Sequence, residues 1–137
     1  LQVGGPLGGV IPIKEVEKLN LDFQEFMKAG FMLGHGGIVS IPEDFNMIKY
    51  IHHLFKFSAE ESCGKCFPGR LGSYRGKEMF DQAINKTNKI PIKLLNELLI
   101  TMQKGSLCAL CGAIPLPIQN ILKYFTDEFK TDINQEA

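Results

Sequence analysis

The chain has no tryptophan, only four cysteines and no excess of either charge. Fifteen basic residues balance fifteen acidic ones among 137 residues. Binding to nucleic acid or to anionic membranes draws on a basic excess, so both partner classes are disfavoured. Ten phenylalanines and three tyrosines are not interleaved with basic residues, so no base-stacking platform is indicated. No apolar run reaches the length of a membrane span, which argues against direct membrane insertion. No secretory signal opens the chain. The cysteines therefore read as metal or redox ligands rather than as two disulfides, and a cytoplasmic location is expected, with peripheral attachment at the inner membrane face as its variant. The sequence begins at Leu1, inside a glycine-rich segment, and reads as a piece of a longer polypeptide.

What remains is ordinary for a folded domain: 45% hydrophobic and 22% charged residues. The first forty residues are rich in glycine and poor in helix signal. LQVGGPLGGVIPI and FMLGHGGIVSI alternate short apolar runs with breakers, which suits strands and tight turns. From Ser40 the pattern becomes helical. Ser40 and Glu43 have capping-box spacing, with Pro42 in the first turn. Phe45, Ile48, Ile51 and Phe55 follow at spacings of three and four, and this helix is expected to end near Ser58. Leu71, Tyr74, Phe80 and Ile84 suggest a second, weaker helix, with Gly72 and Gly76 counting against its start. Pro91 opens a third, whose inner face is Leu94, Leu95, Leu98, Leu99 and Met102, and Gly105 is placed to end it. Pro115 to Pro117 precede a fourth, lined by Ile118, Ile121, Leu122, Phe125 and Phe129. The fold class expected is mainly α, a small four-helix bundle preceded by a glycine-rich β fragment.

All four cysteines fall in two C-x2-C pairs: Cys63 and Cys66 in 61-ESCGKCFPGR-70, Cys108 and Cys111 in 106-SLCALCG-112. Both pairs lie at junctions between expected helices, where a loop can wrap a metal. If Ser106 caps a short helical turn, Cys108 falls in its first turn and Cys111 lies on the same face. Lys65 and Arg70 would offset the charge of clustered thiolates. Spacing alone leaves three readings open: a [4Fe–4S] cluster, a structural zinc, or four reduced thiols without metal.

These segments, followed by 123-KYFTDEF-129, resemble the C-terminal iron–sulfur region of the NADH-binding flavoprotein subunit of respiratory complex I. Related diaphorase subunits of NAD-linked hydrogenases and formate dehydrogenases share the module. Their pattern runs E-S-C-G-K-C-x-P-C-R, then S-L-C-x-L-G, then a helix reading R-Y-F-x-D-E. GGPLGG and AGFMLGHGGI are similar to the tail of the same subunit's soluble-ligand-binding-like β domain. The resemblance implies two parts: residues 1–41 as that β tail, and residues 42–137 as a helical iron–sulfur-binding domain.

The resemblance also implies an electron-relay role. Electrons would come from a flavin elsewhere in the parent subunit and go to iron–sulfur subunits of a multi-subunit complex. FMN and NADH would bind only in parent-subunit domains outside this chain, which would not be catalytic alone. By motif, Cys63, Cys66 and Cys108 are cluster ligands. The remaining family ligand falls at Gly69, which has no side chain. Where the family has glycine after S-L-C-x-L, this chain has Cys111. The expectation is that Cys111 replaces the missing ligand. The alternatives are a three-thiolate site holding [3Fe–4S], zinc, or no metal in a structural or assembly domain.

Other residues carry less. GGPLGG is not a dinucleotide-binding fingerprint, and its glycines read as backbone turns. His35, His52 and His53 read as surface or edge positions, Tyr74 as a core residue, and 126-TDEFKTD-132 as a solvated face. If a cluster binds as the motifs imply, Lys65 favours electron addition. Replacing Lys65 with Glu should then lower the midpoint potential in a redox titration; an unchanged midpoint would count against that role.

Overall fold

The fold is organised by one helix pair. The computed structural model describes residues 1–134, and within it α3 (Met47–Glu61) packs along α4 (Ser73–Ile84). Helix α3 starts at an Asn46 cap whose side chain accepts the Lys49 N–H at 3.0 Å. It therefore begins well after Ser40 and runs past Ser58 to Glu61. Pro42 forms instead a turn closed by the Phe45 N–H on its carbonyl, and Phe45 is 42% exposed. A short polar side chain at the cap satisfies an otherwise orphaned amide, and Asn46 is better placed for this than Ser40. The buried face of α3 carries Ile48, Ile51, Leu54, Phe55 and Ser58.

Gly76 sets how close α4 can come. A Cβ at that position would lie 2.2 Å from Phe55 Cε1, so the glycine that weakens the helix locally is what lets the two helices touch. The Phe55 and Phe80 rings then meet at a centroid separation of 5.8 Å. Full burial of such a side chain contributes roughly 1.5–3 kcal/mol, against about 1 kcal/mol lost by glycine in a helix. Leu71 and Tyr74 do not share this face. Tyr74 is 60% exposed, a correction to its reading as core, because it lies within α4 off the buried face of Ser73, Gly76, Phe80 and Ala83. The turn before α4 is a π-helix over Pro68–Gly72.

Helix α5 (Ile92–Gly105) adds Leu95, Leu99 and Met102 to the core. A short helix α6 (Ala109–Ala113) leads into α7 (Pro115–Tyr124), which begins on its prolines and inserts Ile118 and Ile121. A 3-10 helix over Thr126–Asp132 buries Phe129. The fold is thus mainly helical, with α3, α4, α5 and α7 as its four longest helices among the described residues.

The glycine-rich start forms short strands β1 (Gln2–Val3), β2 (Gly9–Val10) and β3 (Ile38–Val39), antiparallel in the order β2-β1-β3. Two short helices lie between them, α1 (Ile13–Val16) and α2 (Phe23–Lys28), which the glycine content obscured. Asp22 caps α2 through the Gln24 and Glu25 N–H groups. This segment has its own cluster of Val3, Ile11, Phe26, Phe31 and Leu33. Buried Asn120 of α7 ties it to the helices: its amide donates to the Gly30 carbonyl at 3.0 Å and accepts the Val10 N–H at 3.3 Å. A further pair, β4 (Ile90–Pro91) and β5 (Ile133–Asn134), is parallel and closes the far end of the bundle.

Gly76→Ala should destabilise the fold by at least about 1–3 kcal/mol, the usual cost of overpacking, although alanine favours helix. Denaturant unfolding measures this; a neutral or stabilising effect would contradict the close α3–α4 contact.

Candidate metal centre

Both cysteine loops meet at the π-helical turn. The ESCGKC loop leaves the end of α3 and enters Pro68–Gly72, while SLCALC links α5 to α6. Ser106 does not cap α6. It ends α5, and Cys108 itself stands at the α6 N-cap in extended conformation. The Gly112 N–H returns to the Cys108 carbonyl at 3.2 Å, so Cys108 and Cys111 bracket one short helical turn.

Gly69 lies between sulfurs from both loops. A Cβ built there would stand 3.0 Å from Cys111 Sγ and 3.1 Å from Cys66 Sγ. These separations are at the tight edge of carbon–sulfur contact, so a side chain at 69 would push both thiols. Cys111 is buried, with 2% of its surface exposed, while Cys66 is half-buried and Cys63 and Cys108 are exposed. The structure thus brings Cys66 and Cys111 together around Gly69. It leaves Cys63 and Cys108 on the open faces of the same two loops. Among the described residues, no group of three or more His, Cys, Asp or Glu side chains closes on a single point to hold a metal ion.

The surroundings of Cys66 favour negative sulfur. Its thiol pKa is lowered, first by the backbone N–H of Leu107 and then by that of Gly69. The Leu107 contact is also what joins the two loops. The Ser106 hydroxyl is near Cys66 and adds least; its geometry falls short of a good hydrogen bond to any partner. Around Cys111 the neighbours are hydroxyls: Ser58 Oγ at 3.6 Å, Ser62 Oγ at 3.8 Å and Ser73 Oγ at 3.9 Å. Amide and hydroxyl donors directed at thiol sulfur are the surroundings that iron–sulfur ligands use. The donor chemistry therefore fits such a group. Lys65 and Arg70 are both exposed beside the loop.

The histidines are elsewhere. His35 Nδ1 accepts the Gly37 N–H at 3.0 Å, and His35 and His53 line one cavity of about 370 Å³ against Tyr50. Burial pushes the Tyr50 hydroxyl up to about 12. His52 Nε2 faces Asp81 Oδ1 at 2.8 Å. The serines near Cys111 escaped the sequence reading. Ser58 and Ser73 sit on the apolar faces of two helices, and a polar residue on such a face is the signal that marks them.

Comparison with known proteins follows the same residues. The pattern of the NADH-ubiquinone oxidoreductase-F iron–sulfur binding region matches residues 49–132. The NADP-reducing hydrogenase subunit HndC of Solidesulfovibrio fructosivorans is 28% identical over 99% of this chain and 28% of its own length. The NADH-quinone oxidoreductase F-type polypeptide of Rickettsia bellii (strain OSU 85-389) is 32% identical over 95% of this chain and 31% of its own. The chain thus spans less than a third of the curated relatives it matches. In the crystal structure of an NAD+-reducing [NiFe]-hydrogenase in the H2-reduced state, one chain superposes with a TM-score of 0.84. That match covers 97% of this chain and 23% of that one at 22% identity, and it shows a shared fold.

Gly69→Ala should destabilise the metal-free protein by about 1–3 kcal/mol through crowding of the two sulfurs. In a Cys111→Ala background the added cost should shrink, giving a coupling of about 0.5–3 kcal/mol in a double-mutant cycle. Additive costs would contradict the contact.

Proposed function

The chain belongs to the NADH-ubiquinone oxidoreductase-F iron–sulfur binding region family, and on that premise we propose that it is an electron-relay domain whose iron–sulfur ligands are Cys63, Cys66, Cys108 and Cys111. One observation carries the assignment: the Cys111 sulfur stands beside the vacant side-chain position of Gly69, next to Cys66. There it can take over the role that a cysteine at 69 plays in the family pattern.

When bound, a [4Fe–4S] cluster supplies a one-electron carrier. The chain's own residues set the conditions. Leu107 and Gly69 direct backbone N–H groups at Cys66, and exposed Lys65 and Arg70 flank it along the chain. The proposed role is to pass electrons from a flavin of the parent subunit to iron–sulfur subunits of an NADH-dehydrogenase-type complex. NADH and FMN belong to parts of that subunit outside these 137 residues. Exposed Phe67 and Leu107, one on each cysteine loop, support contact with a partner at this face. Residues 1–41 are read as the tail of a soluble-ligand-binding-like β domain, and 42–137 as the cluster-binding domain. Among the described residues no helix is long and apolar enough to cross a membrane.

A second reading has its own support. Burial of Cys111 and the open arrangement of Cys63 and Cys108 suit a structural domain with zinc or no metal. Elemental analysis separates the two. Protein purified without oxygen should be brown and hold about four iron and four acid-labile sulfide per chain. Cys111→Ser should lower both. Colourless protein containing zinc, or no metal, would overturn the electron-relay reading, and an undiminished cluster in Cys111→Ser would overturn the ligand assignment.

A further inference from the structure

Two fully buried serines stand against the Cys111 sulfur. Ser58 of α3 and Ser73 of α4 lie in the core with their hydroxyl oxygens 2.9 Å apart. Ser73 donates to the Gly69 carbonyl at 2.7 Å. Ser62 Oγ accepts the Gly64 N–H at 3.2 Å and also lies near the sulfur. A buried hydroxyl without a partner costs about 1–3 kcal/mol, so a serine at 58 calls for a reason that alanine would not supply.

Each hydroxyl has one proton to give. Ser73 commits its proton to Gly69. Ser58 then has two acceptors within reach, Ser73 Oγ and Cys111 Sγ. With Cys111 as a thiol, a closed chain forms: the S–H donates to Ser58, Ser58 to Ser73, and Ser73 to the Gly69 carbonyl. A cysteine that ligates a metal has lost its proton. Rotation of the Ser58 hydroxyl then directs its proton at the sulfur, and Ser73 keeps Gly69 as acceptor. No group is orphaned in either state.

We propose that Ser58 is a positioning residue for Cys111, donating a hydrogen bond to the ligating sulfur and so favouring the reduced state of the bound cluster. The proposal rests on the reading of Cys111 as a ligand. Ser58 acts because α3 and α4 pack closely enough to seal it and Ser73 away from water, where a single donor has its largest effect on a sulfur.

The test uses the full chain loaded anaerobically with iron and sulfide. Midpoint potential and iron content are read for the parent, Ser58→Ala, Ser62→Ala and Cys111→Ser. Ser58→Ala should keep its iron and helical circular dichroism, and its midpoint should fall. Ser62→Ala, which removes an acceptor and no donor to the sulfur, should leave it unchanged. An unchanged or raised midpoint in Ser58→Ala, with iron lost from Cys111→Ser, overturns the serine role alone. A complete cluster in Cys111→Ser overturns the ligand assignment and this role with it. If Ser58→Ala does not fold, Ser58→Cys, close in size and a weaker donor, carries the test: a lowered midpoint supports the serine role and an unchanged one overturns it.

Discussion

The contact of Gly69 with Cys66 and Cys111 is the constraint on which the site depends. Sulfur atoms from two loops crowd the space that a Cβ at position 69 would fill, and only a residue without Cβ leaves both undisturbed. Position 69 and position 111 are therefore one feature of the molecule. Under the proposed assignment, the family's ligand at 69 and the cysteine at 111 serve the same corner of the site from different backbones. Together they would also crowd each other, so the presence of one sulfur favours the absence of the other.

The scaffold around this contact serves to hold it. The π-helical turn over Pro68–Gly72 places Gly69 against α6, and π segments of this kind occur often at functional sites. Ser73 fixes the Gly69 carbonyl from the first residue of α4. The α3–α4 packing that Gly76 permits then seals Ser58 and Ser73 beneath the sulfur. One side of Cys111 meets these hydroxyls, while Ile114 and Met102 belong to the same apolar core. Cys66 differs in being half-buried and in leaning on backbone amides. Two chemically alike thiols thus sit in unlike surroundings, one in hydroxyls and apolar side chains, one in amides and solvent.

The long helices were legible because their apolar residues repeat at three and four, and the pattern from Leu95 to Met102 is a face the core needs. Boundaries were less so. Ser40 and Asn46 are both plausible caps, and only packing of Met47 into the core chooses the second. Tyr74 was misread because it was grouped with Phe80, six residues on, whereas the buried face of α4 runs through Ser73, Gly76, Phe80 and Ala83. The parallel pairing of Ile90 with Ile133 joins residues far apart in sequence, so no local signal carries it. At the site, the cysteine motifs were plain, and the odd pairing of Gly69 with Cys111 was visible as two departures from a family pattern. That the two positions touch was not visible, because helical arithmetic says nothing about how two loops meet. Ser58 and Ser73 stood out only as polar residues on apolar helix faces, and nothing local says which sulfur they meet.

The most direct measurement of the central claim is a ligand exchange read by Mössbauer spectroscopy of iron-57-loaded protein. Gly69→Cys combined with Cys111→Gly returns the ligand to the position that the family pattern uses. The account predicts that this double variant shows the same fully sulfur-ligated iron sites as the parent, whereas Cys111→Gly alone shows one altered or missing iron. An intact set of iron sites in Cys111→Gly would contradict it.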